Sequence, residues 1–218
     1  MRLHLYIESA CLPVPFNHLH QLTGAIHKWI GRNDIHDQLS LYSFSWLYGG
    51  QAQDNHLIFS SGAQLTINSY DGKLLAALIK GIQKDPYINF GLSVSEINIY
   101  ETPKFNHEEI FHLASPILIK RRQDNKIIHY TYDNPLTDQL LTDTLKIKLR
   151  KAFLPVEGVS VQFQREYPSA HTKIAYYKNI GNKVNFCPVY ITGSTEQISF
   201  AWNVGMGNST GIGFGALK

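Results

Sequence analysis

Gly205-Met206-Gly207-Asn208-Ser209-Thr210-Gly211-Ile212-Gly213-Phe214-Gly215 is the most glycine-dense stretch of the sequence. Five glycines alternate with other residues here, three positions before the chain reaches Lys218. Glycine tolerates positive φ and lets a second backbone approach closely, so the run reads as a tight loop. The nucleotide loops fit it badly. A P-loop requires Gly-Lys-Ser/Thr opening a helix, and that tripeptide is absent. Gly211-x-Gly213-x-x-Ala216 meets a relaxed dinucleotide fingerprint, yet no sequence follows to build the helix that would receive a pyrophosphate. The helix therefore precedes the loop, over Thr195 to Val204, and a short strand follows it. Two readings stand at this point: a loop that grips a ligand, and a turn that only closes the fold.

In the first residues of the sequence, Leu3, Leu5 and Ile7 alternate with His4, Tyr6 and Glu8, the pattern of a strand with one buried face. Pro13 and Pro15 end it, and Asn17 is the expected N-cap of a helix reaching Ile30. Leu19, Leu22, Ile26, Trp29 and Ile30 form its apolar stripe, and Gly31 stands where a C-terminal glycine belongs. A short loop with Ile35-His36-Asp37 leads to an alternating strand, Leu41 to Leu47. Leu57 to Ser60, Leu65 to Ser69 and Ile97 to Tyr100 are further strands, and Lys73 to Lys84 is a second amphipathic helix. Allowing one of these as an extra hairpin strand, the order β-α-β-β-α-β is ferredoxin-like, with two helices on one face of an antiparallel sheet.

Glu101 to Glu108 reads as a linker, and a weaker copy of the pattern follows. It has a strand from Phe111 to Ile119 through Pro116, a short strand at Tyr130 to Tyr132, and a helix from Leu136 to Phe153. Strands at Val159 to Phe163, Ile174 to Tyr177 and Val184 to Ile191 come next, with a turn signal at Asn179-Ile180-Gly181-Asn182. Leu140, Leu141, Leu145, Ile147 and Leu149 are the core positions expected on the helix. The fold class is therefore α+β: two tandem ferredoxin-like (RRM-like) βαββαβ domains, 1–104 and 105–218, the second closed by the glycine-rich loop. The duplication rests on element order alone.

Composition sets the outer bounds. The chain has 218 residues, 44% hydrophobic, with a formal charge of +3. That charge is compatible with nucleic acid and well short of a dedicated binder. No apolar run approaches the roughly 20 residues of a membrane span, so a cytoplasmic protein without membrane contact is expected. Cys11 and Cys187 match no zinc or redox spacing and read as buried free thiols; no metal or cofactor is expected.

Four stretches in order carry a family resemblance. Val14-Pro15-Phe16-Asn17-His18 opens the first helix, which continues Leu22-Thr23-Gly24-Ala25-Ile26-His27 and is followed by Ile35-His36-Asp37. Phe44-Ser45 lies in the next strand, Leu113-Ala114-Ser115-Pro116-Ile117 opens the second half, and Asn208-Ser209 precedes Gly211-Ile212-Gly213-Phe214-Gly215. Together they resemble the CRISPR RNA-processing endoribonucleases of the repeat-associated RAMP superfamily, over nearly the whole chain. The resemblance implies metal-independent cleavage of repeat RNA in precursor transcripts by 2′-hydroxyl attack, giving 2′,3′-cyclic phosphate and 5′-hydroxyl ends. A homodimer and association with a CRISPR effector complex are further partners it allows. The alternative function is a repeat-RNA-binding subunit that does not cut.

This chemistry needs a base, an acid and a stabiliser of phosphorane charge, and histidine suits both proton roles. Among 10 histidines, His36 occupies the family's catalytic loop position, which makes it the expected general base. His27 stands on the first helix where some members carry a tyrosine, and is the expected acid. His20, two turns earlier on nearly the same face, is a reserve candidate or phosphate contact. One departure matters: Ser40 stands where some members have a lysine. Charge stabilisation then falls to Lys28, to Arg32 or to the amides of the glycine loop. For RNA binding the expected residues are His20, Lys28, Arg32, the cluster Lys120-Arg121-Arg122, and Gly207, Asn208, Ser209, Gly211 and Gly213 of the loop. Lys146, Lys148, Arg150 and Lys151 read as a solvated basic helix face. Tyr130, Tyr132, Tyr176 and Tyr177 fit either base stacking or half-buried sheet positions.

Overall fold

The computed structural model describes residues 1–31 and 39–218. The first half runs β1 (Arg2–Ser9), β2 (Val14–Pro15), α1 (Leu19–Ile30), β3 (Tyr42–Phe44), β4 (Gln51–Gln53), β5 (His56–Ile58), β6 (Ala63–Ser69), α2 (Gly72–Lys84) and β7 (Leu92–Tyr100). The second runs β8 (Glu108–Phe111), β9 (Lys120–Gln123), β10 (Lys126–His129), α3 (Thr137–Lys151), β11 (Ser160–Phe163), β12 (His171–Tyr177), β13 (Ile180–Phe186), β14 (Val189–Thr192) and α4 (Thr195–Val204), with a 3-10 turn at Thr210–Ile212.

In the first half β6 and β7 flank β1, β3 lies outside β6, and every pair is antiparallel. This is the ferredoxin-like order. Alternation along β1 sends Leu3, Leu5 and Ile7 under α1 and α2, where they join Leu22, Ile26, Trp29, Leu75, Leu78 and Ile82 in one core. Arg2 points the other way, and the second half docks there. Its guanidinium lies 3.8 Å over the Trp202 ring of α4 and donates to Asn68 Oδ1 at 2.5 Å and to the Leu217 carbonyl at 2.6 Å. The Met1 amine reaches Asn203 Oδ1 at 2.9 Å beside it.

The second half repeats the plan. β11, β14 and β8 form an antiparallel sheet, and a bridge from Leu113 to Leu217 lays the chain end beside β8. Leu141, Leu145 and Leu149 of α3 and Ile198 and Ala201 of α4 cover its core face. Two hairpins are added, β9–β10 and β12–β13, and Ala175 and Val184 of the second pack into the core of the first half. Among the described residues no helix is long and apolar enough to cross a membrane.

Several local expectations are corrected. Residues 111–119 are not one strand. β8 stops at Phe111, and the Ser115-Pro116 stretch threads between the halves, where Ser115 Oγ donates to the Phe44 carbonyl (3.1 Å) and the Pro116 carbonyl accepts from Gly215 N (2.8 Å). The expected strand Val184 to Ile191 is two, split at Cys187-Pro188 because proline has no amide for a ladder. The hairpin strand expected at Tyr130 to Tyr132 lies earlier, as β10. β5 belongs to a small sheet with β2 and β4, apart from the main sheet. Helix α1 is capped at His18, one residue past Asn17, without a side-chain hydrogen bond. Cys187 is buried but Cys11 is exposed.

Candidate functional site

The site forms where the glycine-rich loop meets the first half. Helix α4 opens with a capping box, Ser194 Oγ accepting from Gln197 N while Gln197 Oε1 accepts from Ser194 N. It ends at Gly205, φ 72°, and the loop then passes over β3. Glycine is required by the closeness of that passage. A Cβ on Gly213, whose φ is +92°, would lie 2.6 Å from Leu19 Cδ1 and 2.9 Å from Phe44 Cε2. One on Gly211 would strike Ser40 Oγ. Trp46 Nε1 donates to the Gly213 carbonyl at 2.8 Å, and Asn208 N donates to the Leu118 carbonyl at 2.8 Å. Gly207, Gly211 and Gly213 are buried by these contacts, while Asn208 and Ser209 are half-buried, Ser209 in the left-handed region at φ 62°.

His27 is drawn to this loop through Tyr42. The Tyr42 hydroxyl donates to the Gly211 carbonyl at 3.0 Å, and His27 Nε2 lies 3.2 Å from the same oxygen. A hydroxyl has one hydrogen; since Gly211 receives it, the His27 contact places a hydrogen on Nε2. Burial, and secondarily Tyr177 of β12, push the Tyr42 phenol well above its ordinary pKa, so it remains protonated. A half-buried imidazole with its proton on Nε2 is thus fixed against β3 and the loop. His20 is half-buried two turns earlier on α1, with Nδ1 3.1 Å from the Asn17 carbonyl. Lys28 turns toward α2, where its ammonium donates to Asp85 Oδ2 at 2.8 Å and to the Tyr87 carbonyl at 2.6 Å. His36 and Arg32 lie outside the described residues.

The basic cluster divides. Lys120 lends its backbone amide to Asn208 Oδ1 at 2.9 Å. Arg121 turns inward: its guanidinium donates to Asn208 Oδ1 (3.1 Å), to the Leu140 carbonyl (2.8 Å) and to Thr144 Oγ1 (2.9 Å), joining β9, the loop and α3. Arg122 is exposed on the hairpin. Of the tyrosines, Tyr176 projects from β12 at 53% exposure, whereas Tyr130 and Tyr132 pack against the second core.

Lys148 is the residue that sequence reasoning misses. Its basic neighbours on α3 suggest a solvated face, yet it is 1% exposed. From α3 its Nζ donates to the carbonyls of Val204 (3.2 Å) and Gly205 (2.9 Å) and to Thr210 Oγ1 (3.3 Å). Desolvation pushes its pKa down to about 7. The signal is in the spacing, since position 148 continues the buried stripe of Leu141 and Leu145. Conversely Ile147, expected in the core, is 51% exposed.

Residues 100–218 match the sequence model of the family described as CRISPR associated protein Cas6, C-terminal. A Pyrococcus horikoshii protein named as CRISPR-associated endoribonuclease-like Cas6nc is 25% identical over 175 residues, covering 74% of this chain and 70% of that protein. Two solved structures share the fold over the full length of this chain. One is of a Cas6-related gene from Pyrococcus furiosus (TM-score 0.84, 20% identity, 97% of that chain covered). The other is described as a RAMP protein binding different RNA substrates (TM-score 0.83, 19% identity, 98% covered).

Proposed function

This chain belongs to the CRISPR-associated Cas6 family, and from that premise we propose that it is an endoribonuclease that cuts repeat RNA without a metal ion. The 2′-oxygen beside the scissile phosphate bonds to phosphorus as the P–O5′ bond breaks. His36 takes the 2′-hydroxyl proton and His27 gives one to the departing 5′-oxygen, so the products are a 2′,3′-cyclic phosphate and a 5′-hydroxyl. The observation that carries the reading is the chain His27 Nε2–Tyr42 Oη–Gly211 O, which fixes the His27 imidazole at the glycine loop. The loop supplies backbone dipoles, and Arg122 and Lys120 of the β9–β10 hairpin supply positive charge for phosphates.

An RNA-binding subunit that does not cut is the second reading. It is favoured by Ser40 standing where some of the resembled enzymes carry a lysine, and by the Asp85 carboxylate that already holds Lys28. Substitution separates the two. Under the enzyme reading His36→Ala abolishes cleavage of a cognate repeat RNA while affinity stays within a few-fold. His27→Ala slows cleavage about 10²–10⁴-fold, the usual worth of a proton-transfer group. An unchanged rate in His36→Ala shows that residue to be misassigned; a wild-type protein that binds the repeat and leaves it intact establishes the second reading.

A further inference from the structure

Lys148 occupies an unusual place for a lysine. Its side chain is buried, no acidic group pairs with it among the described residues, and all three of its hydrogen-bond acceptors belong to α4 and the segment after it. Two acceptors, the carbonyls of Val204 and Gly205, are the terminal carbonyls that a helix leaves unpartnered. The third, Thr210 Oγ1, stands at the far side of the loop's first bend and is itself 2% exposed. One nitrogen therefore ties the exit of α4 to the residue that opens the 3-10 turn, and Gly207, Asn208 and Ser209 arch between those two anchors. The next residue after Thr210 is Gly211, whose carbonyl accepts from Tyr42. The ionisable groups facing this region are Arg121, held by Asn208, Leu140 and Thr144, and the protonated phenol of Tyr42.

We infer that Lys148 is a positioning residue of the RNA site: its Nζ, lying beneath the glycine-rich loop, fixes the arch of residues 207–209 in the shape that receives the RNA backbone. This rests on the reading that the loop meets RNA. The nitrogen itself does not reach solvent, so it acts on the loop and not on a phosphate. Two consequences follow from that geometry. Removing the side chain's donor weakens RNA binding without altering how binding depends on salt, because no phosphate contact is lost. Removing only the acceptor at Thr210 has the same kind of effect, and restoring a hydroxyl there reverses it.

The test uses the full-length protein and a cognate repeat RNA, with affinity measured by fluorescence anisotropy over a range of potassium chloride. Lys148→Met is expected to weaken binding about tenfold and Thr210→Val about fivefold, magnitudes typical of losing hydrogen bonds to a buried charged or polar group. Thr210→Ser is expected to bind within twofold of wild type. The slope of log affinity against log salt stays the same in all four proteins, and amide hydrogen exchange over residues 205–211 quickens in Lys148→Met and Thr210→Val alone. Thr210→Val changes one buried hydroxyl to a methyl of equal size, so it keeps the comparison valid should Lys148→Met fold poorly. If wild type binds and Thr210→Val binds equally well with unchanged exchange, the positioning role is overturned while the RNA reading stands. A salt slope reduced by about one in Lys148→Met would overturn it as well, by making the lysine a phosphate contact. If wild type itself binds no repeat RNA, the functional reading has failed and this inference with it.

Discussion

The hydroxyl of Tyr42 is the atom through which α1 and the glycine-rich loop meet. It gives its hydrogen to Gly211 and accepts from His27, and it is buried where water cannot replace either partner. Tyr42→Phe keeps the ring and removes both bonds, leaving the Gly211 carbonyl unsatisfied. The expected loss is about 1–3 kcal/mol of unfolding free energy by urea titration, together with slower RNA cleavage as His27 loses its anchor. Lys148 gives a prediction in pH. Burial holds its pKa at about 7 in the folded protein, against an unfolded value in the ordinary lysine range. Between those two values the unfolded chain binds more protons than the folded one, so this residue makes stability rise as pH rises. Urea midpoints at about pH 7 and about pH 9.5, which bracket most of that window, should show a larger gain for wild type than for Lys148→Met, in which every other group cancels. An equal gain in both would mean that the lysine titrates normally in the fold.

Among elements, the glycine-rich loop is the one whose conformation leaves least room for substitution. Gly213→Ala places a methyl group against Leu19 and Phe44 at a φ of +92°. Strain and overpacking together should cost about 2–4 kcal/mol. Gly24, on the exposed side of α1, is the contrasting case, because a methyl group added there would meet nothing within 4 Å. There alanine should stabilise by about 0.5–1 kcal/mol through helix propensity. A pair of thermal melts checks both signs. The elements legible in the sequence are those whose cause is local: the alternation of Leu3, Leu5 and Ile7, the stripe of α1, and α4 with its following glycines. What escapes such reading depends on partners far along the chain. Ser115-Pro116 forms no strand because its hydrogen bonds go to Phe44 and Gly215, which lie in other parts of the sequence. Lys148 lies within an apolar stripe, and only the arrival of Val204, Gly205 and Thr210 makes a buried lysine tolerable there. Of the candidate site, sequence points to His27 and the loop, but the hydroxyl joining them belongs to a strand residue with no motif of its own.

In the whole molecule, two ferredoxin-like units meet on the sheet of the first. The sheet of the first offers Arg2 and Asn68, and the second answers with Trp202 of α4 and the Leu217 carbonyl. The Ser115-Pro116 stretch and the glycine loop fill the seam beside them, which is why the candidate site lies at a junction and not within either unit. A junction of this kind holds an imidazole from one half against a backbone loop from the other. In the proposed mechanism the chain's own proton carriers, without a metal, cut the repeat. Incubating purified protein with a cognate repeat RNA in excess EDTA and identifying both new ends by mass spectrometry tests this. The expected products are a 2′,3′-cyclic phosphate and a 5′-hydroxyl, formed at the same rate with and without the chelator. A 3′-hydroxyl with a 5′-phosphate, or cleavage that stops on chelation, would contradict it.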